Sequence, residues 1–381
     1  MSGVIVAEWV EKIGGSENVV DAFLEAFPGT DVYCTWNNAP ERFPPTTTVT
    51  EGPLARNRLL RGRKGLSGPL LPWVWRRAEL PDVDWVLVSS HMFAHHVKTP
   101  TPDTPKLTYV HSPARYIWVP DLDPRAKVVA PIIPPLRRID KCRAAESSDM
   151  ACNSRFVAAR IADAWEREAR VIYPPVDVHK ASRYVDDASL TNDELRELSL
   201  LPADFVLGAS RLVRYKALDD VITVGAASGV PVVIAGDGPD RERLETVAAQ
   251  SGVPVTFLGS VSDPMLYALY RRTLCYVFPP IEDFGLMPVE AMATGAPVIT
   301  NRIGGAAESV VAGVTGAHIG FDDPAEMRSA VDAVTGLARE DSCRRAEQFG
   351  RPRFLDEIRG WVDDITAGDA LAGDPGVATS S

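Results

Sequence analysis

Short apolar segments alternate with helix-like segments along this chain, and the alternation begins again near residue 205. Apolar runs of this length between turn residues are typical of buried strands, and strands that alternate with helices indicate parallel βαβ units. Such strands are predicted at 4–7, 31–34, 85–88, 106–110, 150–152, 205–208, 232–235, 255–258, 274–278 and 297–300. A chain of 381 residues suits two domains better than one compact core. We therefore predict an α/β fold with a parallel sheet in each domain.

Two glutamates, Glu282 and Glu290, lie on either side of a predicted strand-to-helix turn. Pro288 is tolerated in a helix only near its first turn, so we expect the helix to begin within 284–288. A helix start has free N–H groups and a partial positive charge, which suit a phosphate. Eight helical residues span about 12 Å, whereas glycoside hydrolases need two carboxylates roughly 5 to 10 Å apart. The pair therefore favours a long ligand with a central phosphate, such as a nucleotide sugar, and the alternative is two solvated surface glutamates.

Residues 282–291 closely resemble the signature of retaining glycosyltransferase family 4, a large family with the GT-B fold. Other segments resemble further motifs of this family in the same order: the amino-terminal glycine loop at 14–17, V-H-S-P-x-R-Y-x-W at 110–118, V-I-Y-P-P-V-D at 171–177, the arginine and lysine of 211–216, G-D-G-P at 236–239 and F-L-G-S-V at 257–261. The segments 110–118 and 171–177 are similar to those of bacterial mannosyltransferases that build surface polysaccharides. The resemblance extends over nearly the whole chain.

This resemblance implies two Rossmann-like domains whose parallel sheets face each other across a cleft. It places an acceptor domain at 1–177, a nucleotide-sugar domain at 178–352, and a helix at 353–366 that packs back on the first domain. The remaining residues, 367–381, are mostly small and polar, and we expect them to be disordered.

The resemblance also implies the roles of individual side chains. Arg211 and Lys216 would bind the diphosphate, where the guanidinium fork and the ammonium stabilise the charge that grows as the glycosidic phosphate bond breaks. Glu282 would hold the sugar hydroxyls, and Glu290 the ribose hydroxyls. His111 would face the cleft near the 6-position of the sugar. The remaining substrate-binding candidates are Gly14, Gly15, Gly236, Gly259, Ser260, Val261, Asp283, Phe284, Gly285 and Leu286.

A fixed array of positive charge can replace a metal, so we expect no metal and no cofactor besides the nucleotide-sugar substrate. His91, His95 and His96 include the i, i+4 spacing of helical metal ligands. No third ligand with a supporting motif follows them, and a helix after Ser89-Ser90 would place them on the surface. We therefore expect no metal ligand in this chain.

Composition restricts location and partners. Five scattered cysteines without a C-x-x-C spacing suit a reduced cytosolic enzyme. The start of the chain lacks the basic region of a secretory signal, and no apolar run is long enough for a transmembrane helix. A net charge of −11 argues against a nucleic-acid partner.

The segment 53–77 reverses this negative charge locally. It has no acidic residue, and leucines and tryptophans are interleaved with its basic residues Arg56, Arg58, Arg61, Arg63, Lys64, Arg76 and Arg77. Basic and aromatic surface is what peripheral proteins present to anionic lipid headgroups. The segment indicates either docking on the inner membrane face or an internal loop with its apolar side chains in the core, and the sequence does not decide between the two.

The expected activity is transfer of a hexose, with mannose from GDP-mannose as the best choice, to a glycan or lipid-linked acceptor. The same fold with a UDP- or dTDP-sugar donor is the alternative, and a related synthase or phosphorylase is another. A catalytically inactive binding module is less favoured because Arg211, Lys216 and both signature glutamates are present.

Overall fold

The structure, a computed structural model, describes residues 2–57, 59–63, 67–119 and 133–372, with 368–372 described as backbone only. The chain divides into two compact units. The first unit comprises residues 1–175 and 352–381, and the second comprises residues 176–351. The first division falls two residues before the domain boundary predicted at 177, next to the V-I-Y-P-P-V-D segment.

The described part of the first unit contains a parallel sheet of seven strands. The strands are β1 (Gly3–Ala7), β2 (Asp31–Cys34), β3 (Val49–Glu51), β4 (Trp85–Ser90), β5 (Lys106–Val110), β6 (Asp149–Cys152) and β7 (Arg170–Val171). Their order is β3-β2-β1-β4-β5-β6-β7, so the chain reverses its direction of travel across the sheet between β1 and β4. β1, β4 and β5 are rich in valine and leucine and almost wholly buried, as expected for a sheet covered on both faces.

Helices cover this sheet. They are α1 (Gly15–Ala26), α2 (Leu71–Arg76), α3 (Arg115–Trp118), α4 (Ile133–Ala144), α5 (Arg155–Trp165) and the last helix of the chain, α15 (Arg351–Ala372). Short 3₁₀ helices occupy Pro53–Arg56, Gly68–Leu70 and Ala94–His96. α5 begins directly after β6 because Ser154 caps it, its hydroxyl accepting the Val157 N–H at 3.0 Å.

The described second unit contains a parallel sheet of six strands. They are β8 (Val206–Ala209), β9 (Val232–Ala235), β10 (Val255–Gly259), β11 (Cys275–Phe278), β12 (Val298–Asn301) and β13 (Gly316–Ile319). The order is β10-β9-β8-β11-β12-β13, so the reversal lies between β8 and β11. Open α/β sheets bind ligands beyond the carboxyl ends of the strands at such a reversal.

Most helices of the second unit alternate with its strands, while two precede the first strand and two follow the last. The helices are α6 (Lys180–Arg183), α7 (Asn192–Ser199), α8 (Leu218–Ser228), α9 (Arg241–Gln250), α10 (Asp263–Arg272), α11 (Leu286–Ala293), α12 (Ala306–Ser309), α13 (Pro324–Thr335) and α14 (Arg339–Glu347), with 3₁₀ turns at Asp187–Ser189 and Arg214–Lys216. Leu218, Val221 and Ile222 of α8 pack with the strand residue Val206 in the core of this unit.

The last helix packs on the first unit. Phe354, Ile358 and Trp361 are fully buried in the same hydrophobic cluster as Phe23 of α1. The Trp361 indole N–H also donates to the carboxylate of Asp149, at 2.8 Å. The i, i+4, i+7 spacing of these three apolar residues places them on one helix face.

This helix is longer than predicted, which corrects the expectation of disorder from residue 367. It continues to Ala372 because residues 367–372 include three alanines and a leucine, which favour helix, and a single glycine at 368 does not end it. Residues 373–381 of the predicted tail lie outside the described residues. Among the described residues, none of the helices has the length and apolar character needed to cross a membrane.

Candidate active site

Three charged side chains lie at the carboxyl edge of the second sheet, next to its strand-order reversal. Arg211 follows β8, Lys216 ends the 3₁₀ turn after it, and Glu282 follows β11. Since β8 and β11 are neighbouring strands, their following loops meet at one edge of the sheet. The structure therefore brings together three of the four residues predicted to be catalytic.

Lys216 and Glu282 form an ion pair between Nζ and Oε1. Their side chains are 15% and 20% exposed, so the pair is partly shielded from solvent yet open to a ligand. Arg211 is exposed, and its Nη2 lies 3.4 Å from the hydroxyl of Tyr215. The pair holds the ammonium at a fixed point while the guanidinium fork stays accessible to an anion.

The loop that carries Arg211 is positioned by backbone contacts with the G-D-G-P turn. A Cβ on Gly236 would lie 1.9 Å from the Ser210 carbonyl oxygen, and one on Gly238 would lie 2.3 Å from that of Leu212. Leu212 N–H donates to the Asp237 carbonyl at 2.9 Å. Only glycine permits so close an approach, so the predicted binding residue Gly236 sets the position of Arg211 through the backbone.

Glycines also set the position of Glu282 and the start of α11. Gly285, with φ of 83°, is the residue before the helix, whose first residue is Leu286. A Cβ on Gly305 would lie 1.9 Å from the Asp283 carbonyl oxygen, and Gly305 N–H donates to the Glu282 carbonyl at 2.8 Å. The sequence indicated the helix start within 284–288. It did not indicate that the backbone of 304–305 contacts the loop that carries Glu282.

Glu290 lies on α11, one turn into the helix, and is half-buried. Burial raises the pKa of its carboxyl group, the ammonium of Lys180 opposes that shift, and the carboxylates of Asp263 and Asp177 add to it. Lys180 itself pairs with Asp263 at 2.5 Å. The two signature glutamates therefore differ, because Glu282 is paired with a lysine and Glu290 lies in a desolvated, acidic setting.

The other predicted substrate-binding residues of this unit occupy loops at the same edge. Gly259 ends β10, and its carbonyl accepts the Gly236 N–H at 2.6 Å. Ser260 is exposed and Val261 partly so, directly after that strand. The Phe284 ring is turned inward against Phe349, at 5.7 Å between centroids, and is 3% exposed. Asp283 and Leu286 are partly buried on either side of it.

His111 lies in the first unit, directly after β5. Ser89 at the end of β4 places its hydroxyl 2.8 Å from Nε2, and the His111 N–H donates to the Ser90 carbonyl at 2.8 Å. Burial lowers the pKa of the imidazole to about 4, so the ring is neutral at pH 7. Ser89 was not predicted from the sequence, although it follows a predicted strand just as His111 does.

The Gly14–Gly15 loop begins α1 of the first unit. The carboxylate of Glu17 folds back onto it, accepting the Glu11 N–H at 3.2 Å and the Ser16 hydroxyl at 2.8 Å. A Cβ on Gly14 would lie 1.9 Å from Glu17 Oε2. An internal carboxylate therefore lies at this helix start, where the resemblance predicted a substrate contact.

His95 and His96 contradict the expectation of surface residues. Both are fully buried, at the end of the 3₁₀ helix Ala94–His96. The turn is drawn inward because the buried carboxylate of Glu8 accepts the N–H groups of Met92, at 2.9 Å, and Ala94, at 2.6 Å. Their imidazoles lie beside the carboxylate of Asp140 on α4. Side chains of these three kinds can bind a metal ion, and their ligand atoms lie close together.

The sequence of the second unit matches the model of a known protein family. The model of the glycosyl transferases group 1 family matches residues 167–351. The second unit belongs to that family. This match covers every predicted site residue of the unit. It confirms the resemblance to glycosyltransferase family 4.

Two curated relatives agree with this assignment. The chain is similar to a glycogen synthase of Mycobacterium tuberculosis, with 36% identity over 142 residues that cover 36% of this chain and 34% of the relative. It is also similar to the alpha-1,3/1,6-mannosyltransferase ALG2 of Mus musculus, with 36% identity over 119 residues that cover 29% and 28%. The matches thus span about a third of the length of these relatives.

Similarity of fold to solved structures extends over nearly the whole chain. A crystal structure of HepE from Anabaena in complex with UDP superposes with a TM-score of 0.69, covering 96% of this chain and 100% of that one. At 18% identity the comparison concerns the fold alone. The two parallel-sheet units and such neighbours confirm the predicted GT-B fold.

Proposed function

We propose that this chain is a retaining glycosyltransferase that moves a hexose from a nucleotide sugar to a glycan or lipid-linked acceptor. Cell-surface polysaccharide or glycolipid synthesis is the setting that we infer. The observation that carries the proposal is the Lys216–Glu282 pair beside the exposed Arg211. These charges lie at the strand-order reversal of a unit that belongs to the glycosyl transferases group 1 family.

The proposed chemistry begins with cleavage of the bond between the anomeric carbon and the diphosphate oxygen. Negative charge grows on the leaving phosphate, and positive charge grows on the sugar ring. Arg211 and Lys216 stabilise the phosphate charge more strongly in the transition state than in the ground state, which accelerates the step. Glu282 accepts hydrogen bonds from the sugar hydroxyls and keeps Lys216 in place. The mechanism requires no metal.

The acceptor hydroxyl then attacks the anomeric carbon from the face that the phosphate leaves. Its proton passes to the departing phosphate oxygen, so the configuration is retained without a covalent enzyme intermediate. The proposed role of His111 is a hydrogen bond to a sugar hydroxyl. A neutral imidazole suits this role because it can donate or accept without adding a positive charge beside the cationic ring.

Mannose from GDP-mannose is the donor that we favour. The similarity to the mouse mannosyltransferase supports it. A UDP-sugar is the main alternative, and the structure of HepE with UDP supports that choice. A dTDP-sugar is a further alternative, and a catalytically inactive nucleotide-sugar-binding module is the least favoured because Lys216 and Glu282 are present and paired.

A thermal-shift panel tests the proposal. The full chain is heated with GDP, UDP, ADP and dTDP and with their common sugar conjugates, each with and without EDTA. Ligand at about a hundred times its dissociation constant stabilises a protein by roughly 2.7 kcal/mol. A selective shift with GDP that EDTA leaves unchanged is expected, and a selective UDP or dTDP shift replaces mannose by another sugar. No shift with any nucleotide would contradict nucleotide-sugar transfer.

Membrane contact through 53–77 forms a second part of the proposal. Leu54, Leu71 and Trp75 are buried, so part of the apolar content belongs to the core. Trp73 remains 63% exposed and Leu59 67% exposed. Exposed arginines accompany them, namely Arg56, Arg63 and Arg77. Arg58 and Lys64 lie outside the described residues.

We therefore propose that this surface contacts anionic lipid at the inner face of the plasma membrane, with the protein otherwise in the cytoplasm. The Arg77 guanidinium stacks 3.4 Å from the centroid of the Trp73 ring, which pairs a cation with an aromatic group on the exposed side. In a liposome pelleting assay, Trp73→Ala should reduce binding to anionic vesicles. Equal pelleting with neutral and anionic vesicles would contradict the contact.

A further inference from the structure

A cluster of metal-ligating side chains lies inside the first unit and takes no part in the proposed transfer. His95 and His96 end a 3₁₀ helix, and Asp140 lies on α4. The three side chains are at most 1% exposed. Nε2 of His95 lies 3.2 Å from Asp140 Oδ1, and Nε2 of His96 lies 2.9 Å from the same oxygen. Two nitrogens and one oxygen therefore converge on one buried point.

These separations are close to those of a tetrahedral zinc site. Zinc binds histidine nitrogen and carboxylate oxygen at about 2.0–2.2 Å, which places neighbouring ligand atoms about 3.3 Å apart in a tetrahedron. All three ligand atoms lie within 4.8 Å of one another. The two nitrogen–oxygen separations, 3.2 and 2.9 Å, are thus within a few tenths of an ångström of the spacing around a bound zinc ion.

The groups around the three ligands have the arrangement of an outer shell. Trp118 Nε1 and Trp165 Nε1 each donate to Asp140 Oδ2 at 2.7 Å. Oδ2 is therefore fixed by the two indoles, and Oδ1 is the carboxylate oxygen that faces the two histidines. The Ser90 hydroxyl lies 3.0 Å from Nδ1 of His95 and fixes that ring from behind. Such contacts orient metal ligands and set the histidine tautomer.

The backbone of the histidine turn is held as well. Lys106 Nζ donates to the carbonyl of His95 at 2.9 Å and to that of Val97 at 3.1 Å. Glu146 lies 3.8 Å from the same ammonium and balances its charge. The two imidazoles are therefore presented toward Asp140 by a turn that is itself fixed on both sides.

The competing explanation is a hydrogen-bond network without a metal ion. In such a network, the carboxylate of Asp140 accepts the two indole N–H groups and the N–H of His96. Among the described residues, Nε2 of His95 is buried and lies 3.2 Å from Asp140 Oδ1, longer than the 2.9 Å of the His96 contact and poorly aligned for a hydrogen bond. If this nitrogen carries no proton, it can bind a metal ion together with Asp140 Oδ1.

We propose that His95, His96 and Asp140 form a buried zinc site with a fourth position for water. Histidine nitrogen with a single carboxylate oxygen suits zinc better than calcium or magnesium, which prefer oxygen ligands. The ion would tie the turn after β4 to α4 and stabilise the first unit. It would not take part in glycosyl transfer, which is proposed to proceed without a metal.

Metal analysis of the full chain tests this site. The protein is produced in zinc-supplemented cells and purified without a chelator or a histidine tag, and zinc per chain is measured by mass spectrometry. About one zinc is expected in the native chain and in His179→Asn, which removes an exposed histidine. His96→Gln should reduce zinc to near zero while its amide can still donate to Asp140. A native chain without zinc, or a His96→Gln chain that retains it, overturns the proposal.

A second measurement keeps the test decisive if the variant does not fold. The native chain is produced in cobalt-supplemented, zinc-depleted cells, and its visible spectrum is recorded. One bound cobalt with the strong ligand-field absorption of tetrahedral coordination is expected. Absence of stoichiometric cobalt, or the weak absorption of octahedral coordination, contradicts the site. Transfer activity with nucleotide sugars is measured separately, so failure of one proposal is distinguishable from failure of the other.

Discussion

The carboxyl edges of the two sheets are built by different means. In the second unit, backbone contacts at Gly236 and Gly305 set the loops, and the charged ends of Arg211, Lys216 and Glu282 project from them. In the first unit, buried side chains fix the loops, as when the Glu8 carboxylate accepts the backbone N–H groups of Met92 and Ala94. Loops set by glycine contacts need no charged side chain for their own support, so Lys216 and Glu282 pair with each other and stay partly exposed. The carboxylate of Glu8 is instead used to hold a loop of its own unit.

Removing the ammonium of the second edge should have the largest effect on activity. Lys216→Ala should lower turnover by about 10²- to 10³-fold, the typical cost of losing one transition-state donor. The exposed Arg214, on the same 3₁₀ turn, provides the matched control, and Arg214→Ala should leave turnover within a few-fold of the native rate. Steady-state kinetics and a melting curve of each variant provide the check. Near-native turnover in Lys216→Ala would show that the edge has another function.

The close backbone contact at Gly305 should be sensitive to an added methyl group. A methyl group at Gly305 would lie 1.9 Å from the Asp283 carbonyl oxygen, so the Glu282 loop must move. Gly305→Ala should lower the free energy of unfolding by about 1–3 kcal/mol and lower turnover beyond that. At Gly336 nothing lies within 4 Å of the point that an added methyl group would occupy, so Gly336→Ala should change stability by less than about 0.5 kcal/mol. Equal stability of the two variants in urea titrations would contradict the backbone contact.

Stability should depend on pH through the buried imidazole of His111 at the first edge. The pKa of His111 is lowered by burial to about 4, whereas an unfolded histidine has a pKa of about 6.5. As pH falls below 6.5 the unfolded chain takes up this proton first, so the contribution to stability is present above 6.5 and is lost as pH falls toward 4. From pH 7 to 5 the native chain should lose about 2 kcal/mol through this group.

His111→Gln should remove that part of the pH dependence, because glutamine does not titrate. The same substitution at the exposed His179 serves as the control and should leave the native pH dependence. Urea titrations at pH 7 and pH 5 measure the difference. An unchanged pH dependence in His111→Gln would show that the imidazole is not desolvated as described.

The smallest effect is expected at Ala217, which precedes α8. Its φ is 51°, a left-handed conformation that costs an L-residue about 1 kcal/mol. Ala217→Gly should therefore raise the free energy of unfolding by up to about 1 kcal/mol. At the exposed Ala226 inside the same helix, the substitution to glycine should lower it by about 1 kcal/mol. Opposite signs in a thermal melt confirm the conformation, and equal signs contradict it.

Apolar periodicity predicted most of the fold. Strands 31–34, 106–110 and 232–235 have the predicted bounds because each is a buried apolar run between turn residues. β3, β7 and β13 were missed. The sequences of β3 and β7, V-T-E and R-V, are too short or too polar to differ from loop, and β13 starts with glycine and contains a histidine. Their strand character comes from pairing with a neighbour, which no local pattern records.

The family resemblance indicated Arg211, Lys216 and Glu282 as site residues, and their roles stay a prediction. The sequence did not indicate which contacts hold them in place. Whether Lys216 pairs with Glu282 depends on the adjacency of β8 and β11, which are more than sixty residues apart in the sequence. The burial of His95 and His96 was predicted wrongly for a related reason, since it depends on Glu8, far away in the chain.

The charges of the second edge are proposed to bind a nucleoside diphosphate. Calorimetric titration of the native chain, Lys216→Ala and Arg214→Ala with GDP and with UDP, in EDTA, tests this binding most directly. One of the two nucleotides should bind the native chain and Arg214→Ala with equal affinity, and Lys216→Ala should bind it at least about tenfold more weakly, a loss of about 1.4 kcal/mol. Equal affinity in all three proteins, or no binding of either nucleotide to the native chain, would contradict nucleotide binding by these charges.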